Sequence, residues 1–153
     1  MLDLIEPLWT AGADWKVRIL MLIVLANMVL ALRLYGVMSK ARFKAAKEGR
    51  VSVDTYKATQ SEPEDVAVFS RAVSNQFEAP VLFYALIAIS MALGVTSWAT
   101  VIFASAFVFL RWMHAGEMIG PHNVLKRRAL FIKSFYCLMA LMAEVTISTM
   151  LWA

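Results

Sequence analysis

Arg71, Asn75 and Glu78 follow one another at spacings of four and three, just ahead of Pro80 and a long apolar run. At 100° per residue the three fall within about 60° on a helix, and Ser74 widens the stripe to about 100°. Gln76 and Pro80 lie on other faces of the same helix. A guanidinium, a carboxamide and a carboxylate on one face either hold a polar ligand in a sheltered, watery pocket or form a structural ion pair inside a bundle. Further along, Arg111 and His114 are three residues apart and share a face. His114 and Glu117 have a spacing that metal ligation could use. No third or fourth ligand clusters with them, so a metal site is not the expectation.

These polar residues sit in an apolar chain. Hydrophobic residues make up 61% of the 153 and charged residues only 17%, against roughly 25% charged in a soluble domain. The apolar residues come in long blocks, which makes the bilayer the expected solvent. The predicted spans cover about 17–38, 66–93, 98–118 and 129–152, with a loop over about 39–65, in one domain covering 1–153. The fold class is therefore all-α, an integral membrane four-helix bundle. Asp3, Glu6 and Asp14 precede the first block, unlike the positive start of a secretory signal, so that block is read as a retained helix. Trp15, Trp98 and Trp152 mark one set of span ends, as an interfacial aromatic belt does. The single cysteine, Cys137, supports no intramolecular disulfide and reads as a buried structural thiol.

Charge gives the orientation. Lys40, Arg42, Lys44, Lys47, Arg50 and Lys57 lie between spans one and two, and Lys126, Arg127 and Arg128 between spans three and four. By the positive-inside rule both loops face the cytoplasm, and both termini face the other side. The first loop also carries Glu48, Asp54, Glu62, Glu64 and Asp65, so it reads as a solvated connector. The basic residues flank apolar blocks without forming an extended patch, which excludes nucleic acid as a partner. Ser61-Glu62-Pro63-Glu64 fits a capping box, with Ser61 at the N-cap and Glu64 returning to its N–H. Span two would thus start in the cytoplasm.

Length then sets the depth of the stripe. The apolar run from Ala79 to Leu93 is about 15 residues, and a span needs about 20. Ser74 through Glu78 must enter the membrane's inner half, with Arg71 at its edge. A charge facing lipid there costs about 2.5–3.5 kcal/mol, so the stripe faces protein or a pocket. Arg33, Arg111, His114, Glu117, Arg127 and Arg128 reach the same level from the other spans. One small bundle has little interior for them all, which implies an oligomer with sites near its subunit interfaces. Asn27 reads as an interhelical hydrogen-bonder and Lys133 as a snorkelling side chain. Glu144, in the outer half of span four, reads as a buried or pore-facing contact.

"RAVSNQFEAPVLFYAL" resembles the R-x-x-x-N-x-x-E-x-x-P signature of the MAPEG family, the membrane-associated proteins in eicosanoid and glutathione metabolism, with the proline one position early. "RWMHAGEMIGPHNVLKRR" is similar to the family's R-x-x-H segment with an arginine thirteen residues after the histidine, here Arg127. "ALRLYG" matches its arginine at the inner end of span one, Arg33, and "SEPEDV" its short stretch before span two. The resemblance covers essentially the whole chain and is to bacterial-type members. It implies a homotrimer in a bacterial inner membrane, with glutathione as co-substrate between protomers. Arg71, Asn75, Glu78 and His114 would bind it, with Arg33 supplied by a neighbouring subunit. Arg127, or Arg128 after a one-residue shift, would stabilise the thiolate that attacks electrophiles. Lipophilic small molecules would enter from the membrane lipids. The implied function is a glutathione-dependent transferase or peroxidase. The alternative is a non-catalytic member that binds lipid or serves a larger complex. Met118, where many catalytic members have a tyrosine, and Ser74, where a further polar or basic contact is common, favour that alternative.

Overall fold

In a computed structural model, residues 15–52, 54–55, 62–121 and 123–152 are described. The N-terminal acidic residues, Lys57, Ser61 and His122 lie outside them, as does the side chain of Trp152. Among the described residues these helices follow in order: α1 Trp15–Lys47, α2 Glu64–Ser74, α3 Ala79–Ala92, α4 Trp98–Ile119 and α5 Val124–Trp152. With α2 and α3 taken together, four segments among the described residues are long and apolar enough to cross a membrane. The protein is an integral membrane four-helix bundle.

Heptad-like spacing on α1 buries Leu20, Asn27, Leu30, Leu34 and Met38. On α5 the buried stripe is Ser134, Leu138, Leu141 and Val145. Helix α4 is buried over a wider arc and forms the bundle's central element, packing most extensively along α5. Phe83 of α3 stacks on Phe107 of α4, with ring centroids 4.9 Å apart, at the centre of the core. The outward faces of α1 and α5 carry exposed Leu22, Leu25, Val29, Leu32, Phe135 and Met142, as lipid-facing surfaces should. Asn27 does bridge helices, donating through Nδ2 to the Tyr84 hydroxyl at 2.8 Å. Cys137 is half-buried against the core, more accessible than expected of a structural thiol.

The ends of the bundle differ. At one end Gly94 takes a φ of 68° and closes α3, with the Val95 N–H on the Ser90 carbonyl at 3.0 Å. That backbone conformation favours glycine, and the pattern is a Schellman-type close. Lys16 of α1 donates to the Thr96 carbonyl at 3.1 Å, so the start of α1 meets this turn. Ser97 and Thr100 cap α4 reciprocally, and both hydroxyls donate to Glu144 of α5, at 2.5 and 2.8 Å. Ser148 adds a third bond at 3.0 Å. Glu144 is thus a clasp between α4 and α5.

At the basic end α1 runs past the apolar run to Lys47, and Arg42 ties that extension to α2. Its guanidinium donates to Glu62 at 2.7 Å and to the Ser70 hydroxyl at 3.1 Å. The expected capping box is not what starts α2. The helix begins at Glu64 with Pro63 at the N-cap and no side-chain cap, while Glu62 is committed to Arg42.

Span two is not the continuous helix that the spacing suggested. It stops at Ser74, turns through 75–78 and restarts at Ala79. Pro80 supplies the reason: it has no N–H for the Gln76 carbonyl, and its ring would clash there in an unbroken helix. Face arithmetic therefore holds through Asn75, whose N–H still bonds the Arg71 carbonyl at 3.1 Å, but not across to Glu78, which the break itself presents. Likewise Lys126, Arg127 and Arg128 lie not in a loop but in the first turns of α5, which begins at Val124.

A polar pocket at the basic end

The break between α2 and α3 opens one wall of a cavity of about 500 Å³. Helix α2 contributes Arg71 and Ser74, and the break contributes Asn75 and Glu78. From α4 come His114 and Met118, one turn apart. From α5 come Val124, Arg127, Arg128 and Phe131, at the spacing of one helical face. Thus Arg71, Asn75, Glu78, His114 and Arg127 share one cavity within a single chain. Arg128 lines it as well, beside Arg127. Arg33 stands apart. It is exposed on α1, with its guanidinium 5.8 Å from the Trp112 ring centroid, and does not line this cavity.

Behind the break lies Arg111, fully buried. Its Nη2 donates to the Asn75 carbonyl at 2.6 Å, while Nε and Nη1 have no hydrogen-bond partner among the described residues. A helix interrupted at 75–78 leaves carbonyls without their usual N–H, and Arg111 satisfies one of them. Glu78 and Tyr84 are within electrostatic reach of the same guanidinium. Gln76, expected on another face, is buried against α2's own backbone with its Oε1 unpaired.

His114 is buried, 5.7 Å from Phe131 between ring centroids, and within electrostatic reach of Arg111 and Arg127. Asn75 Nδ2 lies 3.5 Å from the Met118 sulfur, a weak acceptor. Its amide is therefore only loosely held against α4 and lines the cavity.

Helix α5 begins against the grain. Asn123 caps it, its Oδ1 accepting from the Lys126 N–H at 3.0 Å. The next charges are Lys126, Arg127 and Arg128, with no acid in the first turn. Cations at a helix N-terminus oppose the macrodipole at about 0.3–1 kcal/mol each. Such a site is one where an anion is welcome, since cationic side chains gather at a helix N-terminus. The residues that sequence spacing missed are Val124 and Phe131, which share α5's cavity face, and Arg111 as a support of the break. The four-residue step from Arg127 to Phe131 was the available signal.

An integral membrane four-helix bundle with a cationic, partly sheltered pocket at one end is the class of protein that fold and site define. The MAPEG family model matches residues 19–147, and the chain belongs to that family, which is known for glutathione-related transferase and peroxidase activities. No curated protein and no solved structure matches the chain.

Proposed function

We propose that the protein is a glutathione-dependent transferase or peroxidase that conjugates or reduces lipophilic electrophiles. The observation that carries this reading is the charge of the cavity: Arg71, Arg127 and Arg128 against Glu78. Three guanidiniums and one carboxylate leave two positive charges in excess. Glutathione with its thiol ionised carries two carboxylates, one thiolate and one ammonium, a net charge of minus two. The cavity thus complements the thiolate form better than the thiol. Arginine forks suit the carboxylates and Glu78 suits the ammonium. Asn75 offers an amide at the bend, and His114 a ring beneath.

Arg127 and Arg128 then stabilise the thiolate through fixed positive charge. The ionised sulfur attacks the electrophile and displaces its leaving group, which takes a proton from water; with a hydroperoxide the O–O bond breaks, an alcohol leaves, and a second glutathione thiol condenses with the resulting sulfenic acid to give the disulfide and water. Placement within the apolar bundle lets the second substrate arrive from the membrane lipids. In this reading three copies assemble, and Arg33, exposed on α1, reaches the pocket of a neighbouring subunit. The basic end faces the cytoplasm of a bacterial inner membrane, with both termini on the other side.

Calorimetry of the detergent-solubilised protein with glutathione tests the reading, alongside the ultraviolet absorbance of the bound thiolate. Heat and a thiolate band at neutral pH support it, and the absence of heat at millimolar glutathione sinks it. One observation favours the second reading, a member that binds lipid without catalysis. Met118 and Phe131 put a thioether and a phenyl ring, not hydroxyls, on the pocket wall. In that case an anionic lipid binds and glutathione does not.

A further inference from the structure

Glu117 lies in the last turn of α4 and Lys126 in the first turn of α5. Each has the wrong sign for its own helix end, since a C-terminus disfavours an anion and an N-terminus a cation. Glu117 is also nearly buried, only 7% exposed, which adds a desolvation cost. Its carboxylate is engaged by the Lys126 ammonium across the Gly120-Pro121 break. Neither residue lines the cavity. Helix propensity and site chemistry therefore leave both unexplained, and their pairing explains both.

The geometry adds a purpose. Val124, Arg127, Arg128 and Phe131 define the cavity face of α5. Lys126 lies about 150° round the helix from the middle of that face. Tying Lys126 to α4 therefore fixes the rotation of the first turns of α5, which precede the buried stripe that begins at Ser134. A rotation of one residue, about 100°, would carry Arg128 or Phe131 out of the cavity. The connection is tight as well: a Cβ on Gly120 would stand 2.9 Å from the Gly116 carbonyl. We propose that the Glu117–Lys126 ion pair is a rotational lock that holds Arg127 and Arg128 toward the bound sulfur. Its service to the thiolate rests on the glutathione reading above, whereas the lock itself does not. Both are positioning residues, acting through the arginines.

The test uses the full chain in detergent and two readouts. The first is hydrogen exchange of the backbone amides over 123–131. In Glu117→Gln these are expected to exchange about tenfold faster than in the wild type. Lys126→Ala, altered at a half-exposed side chain, is expected to do the same and serves should Glu117→Gln fail to fold. Lys126→Arg keeps the pair and should retain wild-type protection. The second readout is the ionisation midpoint of bound glutathione, followed by thiolate absorbance against pH. It is expected to rise by about one unit in the two disrupting variants and to stay put in Lys126→Arg, with glutathione affinity changed less than about threefold. Wild-type exchange in both disrupting variants overturns the lock. Faster exchange with an unmoved midpoint overturns its service to the sulfur. A wild-type protein with no thiolate signal sinks the glutathione reading, and exchange alone then decides the lock.

Discussion

Arg111 Nη2 donates to the backbone carbonyl of Asn75 at 2.6 Å, from a side chain with no exposure at all. The bond joins the central helix α4 to the interruption in span two. Pro80 makes that interruption, and Arg111 holds it in one shape. Glu78 reaches the cavity because of the break.

Replacing Arg111 by Met is expected to cost the fold little. The substitution removes a buried charge with two unpaired nitrogens, which offsets the cost of leaving the Asn75 carbonyl without its donor, so the change in stability should stay within about 2 kcal/mol. The break would lose its tether, and glutathione affinity should fall at least about tenfold. Thermal unfolding and calorimetry on the same preparation separate the two effects. A large loss of stability with intact binding would contradict this assignment.

Under the proposed glutathione function, Arg71→Ala and Glu78→Ala would each remove one charge-assisted contact to the ligand. Such bonds contribute about 1.5–3 kcal/mol, or roughly 10- to 100-fold in Kd. Binding isotherms check this. Unchanged affinity in both variants would leave the pair as a structural feature of the bundle.

Arg127 and Arg128 both line the cavity, so neither variant alone should abolish thiolate formation. A nearby cation lowers a thiol's pKa, and removing it raises the pKa. Arg127→Ala and Arg128→Ala should each shift the bound thiol's ionisation to higher pH. The double variant should shift it further than either. At neutral pH the thiolate fraction then falls, and activity toward an electrophile follows it. The absorbance titration of all three variants decides the matter.

Glu144 accepts three hydroxyl bonds near the opposite end of the bundle. Glu144→Ala would strand the Ser97 and Thr100 hydroxyls between α4 and α5. A loss of about 2 kcal/mol in stability is expected, with glutathione affinity unchanged because the pocket lies at the other end. A thermal-shift measurement beside calorimetry tests the separation. Impaired binding would mean that the two ends are coupled.

Much of this protein was legible before any folding was considered. Long apolar blocks can be satisfied only by helices in a bilayer, so the four spans and their class follow from composition and order alone. The residue types of Arg71, Asn75, Glu78, His114 and Arg127 likewise announce a polar level that lipid cannot accept. Periodicity failed where a local rule was broken. Pro80 ended the helical register beyond Asn75, so the place assigned to Glu78 on the stripe had to come from a bend. Tertiary structure alone decided that Arg111 supports that bend, that Glu144 clasps α4 to α5 and that Arg127 and Arg128 face the cavity together. Each of these depends on how a side chain on one helix meets backbone or hydroxyls on another. Spacing along one helix holds no record of its neighbour's rotation, and that rotation sets which charges meet.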